Sequence, residues 1–174
     1  MPRRVRERPP APVPPRVAGA GRGASRVPTL LLDTNVVLDV LLARAPWDGD
    51  AVLLLDTIAR GRATGFIAGH AVTTVHYIVQ RAKGRSVAAT AVSDLLQLLD
   101  VVTLDRSDFT RALSLGLGDY EDAVQVAACL RIGADALVRR NARDSKGAPV
   151  VTRSPGEVLA LLASSASDPR ESDA

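Results

Sequence analysis

Four aspartates and one asparagine stand where an α/β chain could do chemistry. Asp33 directly follows the apolar run Thr29-Leu30-Leu31-Leu32, and Asn35 comes two residues later. Asp119 and Asp122 open the segment 119–132. Their i, i+3 spacing puts both on one helical face, while Glu121 points away from Asp119. Asp144 lies in the loop after Ala136-Leu137-Val138. Crowded carboxylates repel one another, which raises their pKa values and weakens the fold unless a cation joins them. A hard divalent ion resolves the conflict. Mg²⁺ keeps several waters and takes only a few carboxylates, and Mn²⁺ accepts similar ligands. An ion so held can activate water and neutralise a phosphodiester under attack.

Each acid also has a plainer use. Asp33, at the step from strand to helix, is a candidate N-cap. Asp119 with Asp122 three residues on resembles a capping box. Asp144 alone reads as a solvated loop acid. Only the joint placement points to a metal. Other nucleotide chemistries fit worse. The chain has no GxxxxGK(S/T) phosphate loop, and Gly19, Gly21 and Gly23 precede the first strand, so they form no dinucleotide-binding turn. An aspartyl-phosphate phosphatase would want a second aspartate where Asn35 stands. His70 and His76 have no matching Cys or Ser and read as packed or capping residues. Cys129 shares the inner stripe of 119–132 with Asp122 and Val126 and reads as core.

The elements that must position these residues follow from periodicity. Short apolar runs at 29–32, 66–68, 101–104, 136–138 and 149–151 read as strands, the first buried on both faces. Between them, 34–44, 50–60, 70–82, 86–99, 106–116 and 119–132 read as helices, with Gly133 as a C-cap. Ser154-Pro155 opens a last helix to about residue 163, Ser as N-cap and Pro at its first position. Strands alternating with helices predict a mostly parallel sheet covered on both faces, a three-layer α/β/α domain. In such a sheet, sites form beyond the carboxyl ends of the strands, where these acids fall.

The charge is divided along the chain. Of 174 residues, 22 are Lys or Arg and 19 Asp or Glu, a net charge of +3. Residues 1–28 hold seven Arg and one Glu, so the remainder is mildly acidic. That excludes a body built to coat nucleic acid. Seven of the 11 prolines also lie in 1–28. This stretch is expected to be disordered: a passive tail, sequence upstream of the true start codon, or a basic arm for RNA phosphates. The predicted organisation is a tail over 1–28, a domain over 29–163 and a C-terminal tail over 164–174. One cysteine excludes internal disulfides and zinc clusters. No apolar run approaches the ~20 residues that cross a bilayer. Prolines break residues 9–15 (PPAPVPP), so no signal-peptide core is present and a cytoplasmic setting is expected. Aromatic residues, at 3%, offer few platforms for stacking unpaired bases.

Taken together, LLLDTNVVLDVLL (30–42), AVTTVHYIVQR (71–81) and DYEDAVQVAACLRIGADALVRRNARD (119–144) resemble PIN-domain proteins of the VapC-like toxin branch. The resemblance covers about 29–163. It implies cleavage of RNA with Mg²⁺ or Mn²⁺, held by Asp33, Asp122 and Asp144, with Asp119 as an additional acid. Asn35 would order the loop or the water shell. It also implies a cognate antitoxin protein as partner, a homodimer, and the role of toxin in a type II toxin–antitoxin pair.

This chain departs from the family pattern at three places. Thr74 stands where many members carry a glutamate. The TRN string reads Arg139-Arg140-Asn141. Ser145 replaces the aromatic after the late aspartate. Arg139, Arg140 and Arg143 flank the acidic edge as candidate contacts to RNA phosphates, or as ion-pair partners of the acids. The competing reading is a PIN module weakened in catalysis that binds RNA or a protein partner. Thr74 and Arg139 favour it, and the set Asp33, Asp119, Asp122 and Asp144 opposes it.

Overall fold

The computed structural model describes residues 26–141 and 147–166. Most of the N-terminal tail, Arg143, Asp144, Ser145 and residues 167–174 lie outside the described residues.

Twelve elements follow one another within those residues. They are β1 (Thr29–Leu32), α1 (Thr34–Leu42), α2 (Asp48–Ala59), β2 (Thr64–Ala68), α3 (Gly69–Lys83), α4 (Arg85–Leu98), β3 (Asp100–Val102), α5 (Arg106–Ser114), α6 (Tyr120–Ile132), β4 (Ala136–Val138), β5 (Thr152–Arg153) and α7 (Pro155–Ala166). The five strands form one parallel sheet in the order β3-β2-β1-β4-β5. The helices α1 to α4 pack on one another and α7 packs on α2, while α5 packs on α6; the right-handed crossover rule puts these two sets on opposite faces. The result is the three-layer α/β/α domain expected.

Central strands are apolar because both faces are covered. Leu31, Leu32, Ile67, Leu137 and Val138 are fully buried. They pack with Val36, Leu38, Leu54, Val75 and Val79 from the helices in one main core. A smaller cluster of Ala112, Ala123, Val124 and Ala127 joins α5 to α6. Burying one such Leu or Val stabilises the fold by about 1.5–3 kcal/mol. Gly65 in β2 is required by close approach. A Cβ there would meet Leu99 Cδ2 at 2.5 Å and Ile58 Cδ1 at 2.9 Å. Gly133 ends α6 at φ +60°, in the left-handed region that a C-cap favours.

Two strands differ from expectation at the sheet edges. The last was expected at 149–151, yet Thr152 and Arg153 pair with Leu137 and Val138. Val151 contributes only its carbonyl, which accepts from the Leu137 N–H at 2.9 Å. Pro149 has no N–H to give to a ladder, and a two-residue edge strand follows its neighbour's register more than its own hydropathy. The third strand runs Asp100–Val102, ahead of the predicted 101–104. Ser154 does cap α7: the Glu157 N–H donates to Ser154 Oγ at 3.2 Å, and the Ser154 N–H to Glu157 Oε2 at 2.8 Å.

The strand order reverses beside β1, whose neighbours are β2 and β4. A crevice opens beyond the carboxyl ends of strands at such a switch point. Both β1 and β4 end there, with Leu32 and Val138 in register.

Candidate active site

One residue past each of these paired strands stands a charged side chain, Asp33 after β1 and Arg139 after β4. The ladder runs on between them, the Asp33 N–H donating to the Val138 carbonyl at 2.9 Å. Register thus sets an acid and a base side by side. Arg139 Nε donates to Asp33 Oδ2 at 2.9 Å. Both are buried, Asp33 at 4% and Arg139 at 9% exposure.

Asp33 divides its two oxygens. Oδ1 accepts from the Asn35 N–H at 2.9 Å and caps α1. Oδ2 holds Arg139. The capping use and the site use of this residue therefore coexist.

The start of α6 supplies the opposite wall. Asp119 is its N-cap, accepting from the Asp122 N–H at 3.0 Å. That bond turns Asp122 toward Arg139, whose Nη2 donates to Asp122 Oδ1. One guanidinium thus bridges Asp33 and Asp122. Burial works against the charge on Arg139, but Asp33 and then Asp122 outweigh it and hold its pKa above the usual arginine value.

Around this bridge lies a cavity of about 320 Å³. Asp33, Asn35, Thr74, Asp119, Glu121, Asp122 and Arg139 line it, so the structure brings the predicted acids of its described residues to one place. Glu121 joins them, although it diverges from Asp119 on the helix. The Thr74 hydroxyl donates to the His70 carbonyl at 3.4 Å, within its own helix. A second cleft of about 190 Å³ adjoins the first and shares Asp33, Asn35 and Arg139 with it, adding Arg140 and Asn141.

The two described arginines do different things. Arg139 sits among the acids. Arg140 turns to α1, its Nε donating to Asp39 Oδ2 at 3.0 Å while its guanidinium lies 3.9 Å from the centre of the Trp47 ring. Both guanidinia are thus engaged by protein carboxylates.

Sequence reasoning missed Gln125. It is 1% exposed, lines the cavity, and donates from Nε2 to Thr34 Oγ1 at 3.2 Å. Its Oε1 is buried with no hydrogen-bond partner among the described residues. The signal was present, since a lone glutamine three residues after Asp122 in an apolar stripe shares its face. Cys129, by contrast, is core, its thiol pushed up to about 11 by burial, with Asp135 adding to the rise.

The donor set fits a hard cation. Asp33 and Asp122 already hold one positive group between them, the Arg139 guanidinium. The lining is rich in acceptors, including the orphan Gln125 Oε1. Among the described residues, no three His, Cys, Asp or Glu side chains come close enough to hold a metal. Two carboxylates completed by waters are nonetheless an ordinary arrangement for Mg²⁺.

A profile of the PIN domain family matches residues 29–143. No curated protein matches at a significant level. Among solved structures the fold is similar to VapBC2 of Rickettsia felis bound to a fragment of promoter DNA. That match has 15% identity and a TM-score of 0.60, and covers 72% of this chain and 98% of that one. A toxin–antitoxin complex from Klebsiella pneumoniae matches at 19% identity and a TM-score of 0.56, over 72% of this chain and 97% of that one. The sarcin-ricin loop cleaving toxin VapC20 of Mycobacterium tuberculosis matches at 15% identity and a TM-score of 0.52, over 62% and 86%. At these identities the likeness is one of fold.

Proposed function

The chain belongs to the PIN domain family, and from that premise we propose that it is a metal-dependent endoribonuclease, the toxin of a type II toxin–antitoxin pair. One observation carries the reading. Asp33 and Asp122, 89 positions apart in the sequence, close on a single positive charge at the rim of an open acidic cavity. A protein that needed these acids only as helix caps would not aim both at one point.

In this reading Asp33 Oδ2 and Asp122 hold Mg²⁺ or Mn²⁺, with Asp119 and Asp144 as further candidate ligands. Such an ion lowers the pKa of a bound water and offsets charge on the phosphate oxygens. The chain's own residues do the rest. The Asn35 N–H fixes the Asp33 carboxylate, and the Asp119 cap fixes the start of α6 and with it Asp122. Gln125 and Thr34 form a polar floor whose spare acceptor suits a water. The adjoining cleft, with Asn35, Arg140 and Asn141 on its wall, is the proposed path for RNA.

The similar structures from Rickettsia felis and Klebsiella pneumoniae are toxin–antitoxin assemblies. A cognate antitoxin is accordingly the proposed partner, with a homodimer as the assembly and the cytoplasm as the setting. No helix among the described residues is long and apolar enough to cross a membrane.

The alternative, a PIN module weakened in catalysis that binds RNA or a protein, is favoured by two features: Thr74 brings no charge to the cavity wall, and Arg139 pairs with both Asp33 and Asp122. The deciding experiment is cleavage of a mixed RNA pool with Mn²⁺, Mg²⁺ or chelator, beside Asp122→Asn prepared identically. Metal-dependent cleavage lost in the variant is the expected result. Absence of cleavage, together with no stabilisation by metal, supports the binding module.

A further inference from the structure

We propose that Arg139 competes with the divalent ion for Asp33 and Asp122, so that the chain carries its own reversible occupant of the cation site. The inference rests on the reading that these two carboxylates form the ion site.

The backbone forces the encounter. Leu32 and Val138 are in register, so the next residue on each strand projects into the same crevice. The guanidinium then forks, Nε to Asp33 and Nη2 to Asp122, with the Arg139 side chain only 10% exposed. Both oxygens of Asp33 are engaged, Oδ1 capping α1 and Oδ2 holding Arg139. A divalent ion held by the Asp33 carboxylate would stand close to the guanidinium, where like charges in a partly buried site repel strongly. The two cations therefore exclude one another.

Arg139 also has somewhere to go. It lines both the acidic cavity and the adjoining cleft of about 190 Å³. A side-chain swing moves its charge from one to the other without moving β4. The observed ion affinity is then the intrinsic affinity scaled by the fraction of molecules with Arg139 out.

The test is Mn²⁺ binding to the full chain, measured by calorimetry and by the resonance signal of free Mn²⁺. It needs no RNA. Arg139→Gln is expected to bind Mn²⁺ about tenfold or more tightly than the unaltered protein. Arg139→Lys, which keeps the charge and loses the fork, is expected to fall between. Adding Asp122→Asn to Arg139→Gln should remove the gain. Equal affinity for the unaltered protein and Arg139→Gln overturns the competition and leaves the nuclease reading standing. A gain that survives Asp122→Asn overturns it too, because the ion then sits elsewhere. No Mn²⁺ binding by any form overturns both the competition and the metal. Should Arg139→Gln fail to fold, Arg139→Lys decides, and affinity equal to that of the unaltered protein is the overturning result.

Discussion

Arg140 closes over Asp39, a carboxylate in the middle of α1 that is 1% exposed, and lies at the same time across the face of Trp47. The pair ties the end of β4 to α1 next to the acidic cavity. Asp39 is deeper than any described acid of the candidate site.

Removing the base leaves that charge stranded. Arg140→Ala is expected to destabilise the fold by about 3 kcal/mol or more, as when one partner of a buried pair is lost. Trp47→Ala removes only the cation–π contact and packing, and should cost about 1 kcal/mol. Urea unfolding followed by circular dichroism measures both. A loss under 1 kcal/mol for Arg140→Ala would show that Asp39 finds another partner.

Asp33 performs two tasks that substitution separates. Asp33→Asn keeps an acceptor for the Asn35 N–H and removes the charge. Asp33→Ala removes both, and should be less stable than Asp33→Asn by about 1 kcal/mol, the value of an N-cap. Both variants should lose RNA cleavage equally. Comparing their unfolding midpoints with their cleavage rates separates the cap from the site.

Metal is expected to stabilise the folded chain. An ion that binds only the native state adds about 2.7 kcal/mol when present at a hundred times its Kd. A rise of several degrees in Tm with millimolar Mn²⁺, reversed by chelator, is the expected observation. The shift should vanish in Asp122→Asn.

His70 gives the protein a pH dependence of definite sign. Burial lowers its pKa, and the nearby charges of Glu121 and Asp33 only partly oppose that. Both ring nitrogens are buried with no hydrogen-bond partner among the described residues. The folded state thus prefers neutral His70, while the unfolded chain takes up a proton near pH 6.5. Its contribution is fully present above that pH and is lost as the pH falls below it. Stability measured at pH 7.5, 6 and 5 should drop more steeply for the unaltered protein than for His70→Gln. Parallel curves would place His70 in solvent.

What could be read beforehand divides along physical lines. Leu30–Leu32 and Ala136–Val138 were legible as strands because burial on both faces demands an unbroken apolar run. The edge strand Thr152–Arg153 was not, because its place is dictated by β4. Asp33, Asp119 and Asp122 could be brought to one edge from spacing alone. The sequence left Arg139 as either an RNA contact or an ion-pair partner of the acids, because the choice depends on the register of two strands far apart in sequence. Gln125 escaped notice because the apolar stripe around it reads as core, and it is in fact buried.

That register has a consequence for how the chain folds. Asp33 and Arg139 are 106 residues apart, so the β1–β4 ladder is a long-range closure of the sort that forms slowly. Sliding β4 by one residue would reverse every side chain along it: one way puts Val138 in the place of Arg139 and leaves Asp33 enclosed with no opposing charge, and the other way draws Arg140 to Asp33 and strands the buried Asp39. A misaligned sheet is thereby penalised electrostatically at the spot where the native one is neutralised. The charges that line the crevice thus favour one strand alignment over its neighbours.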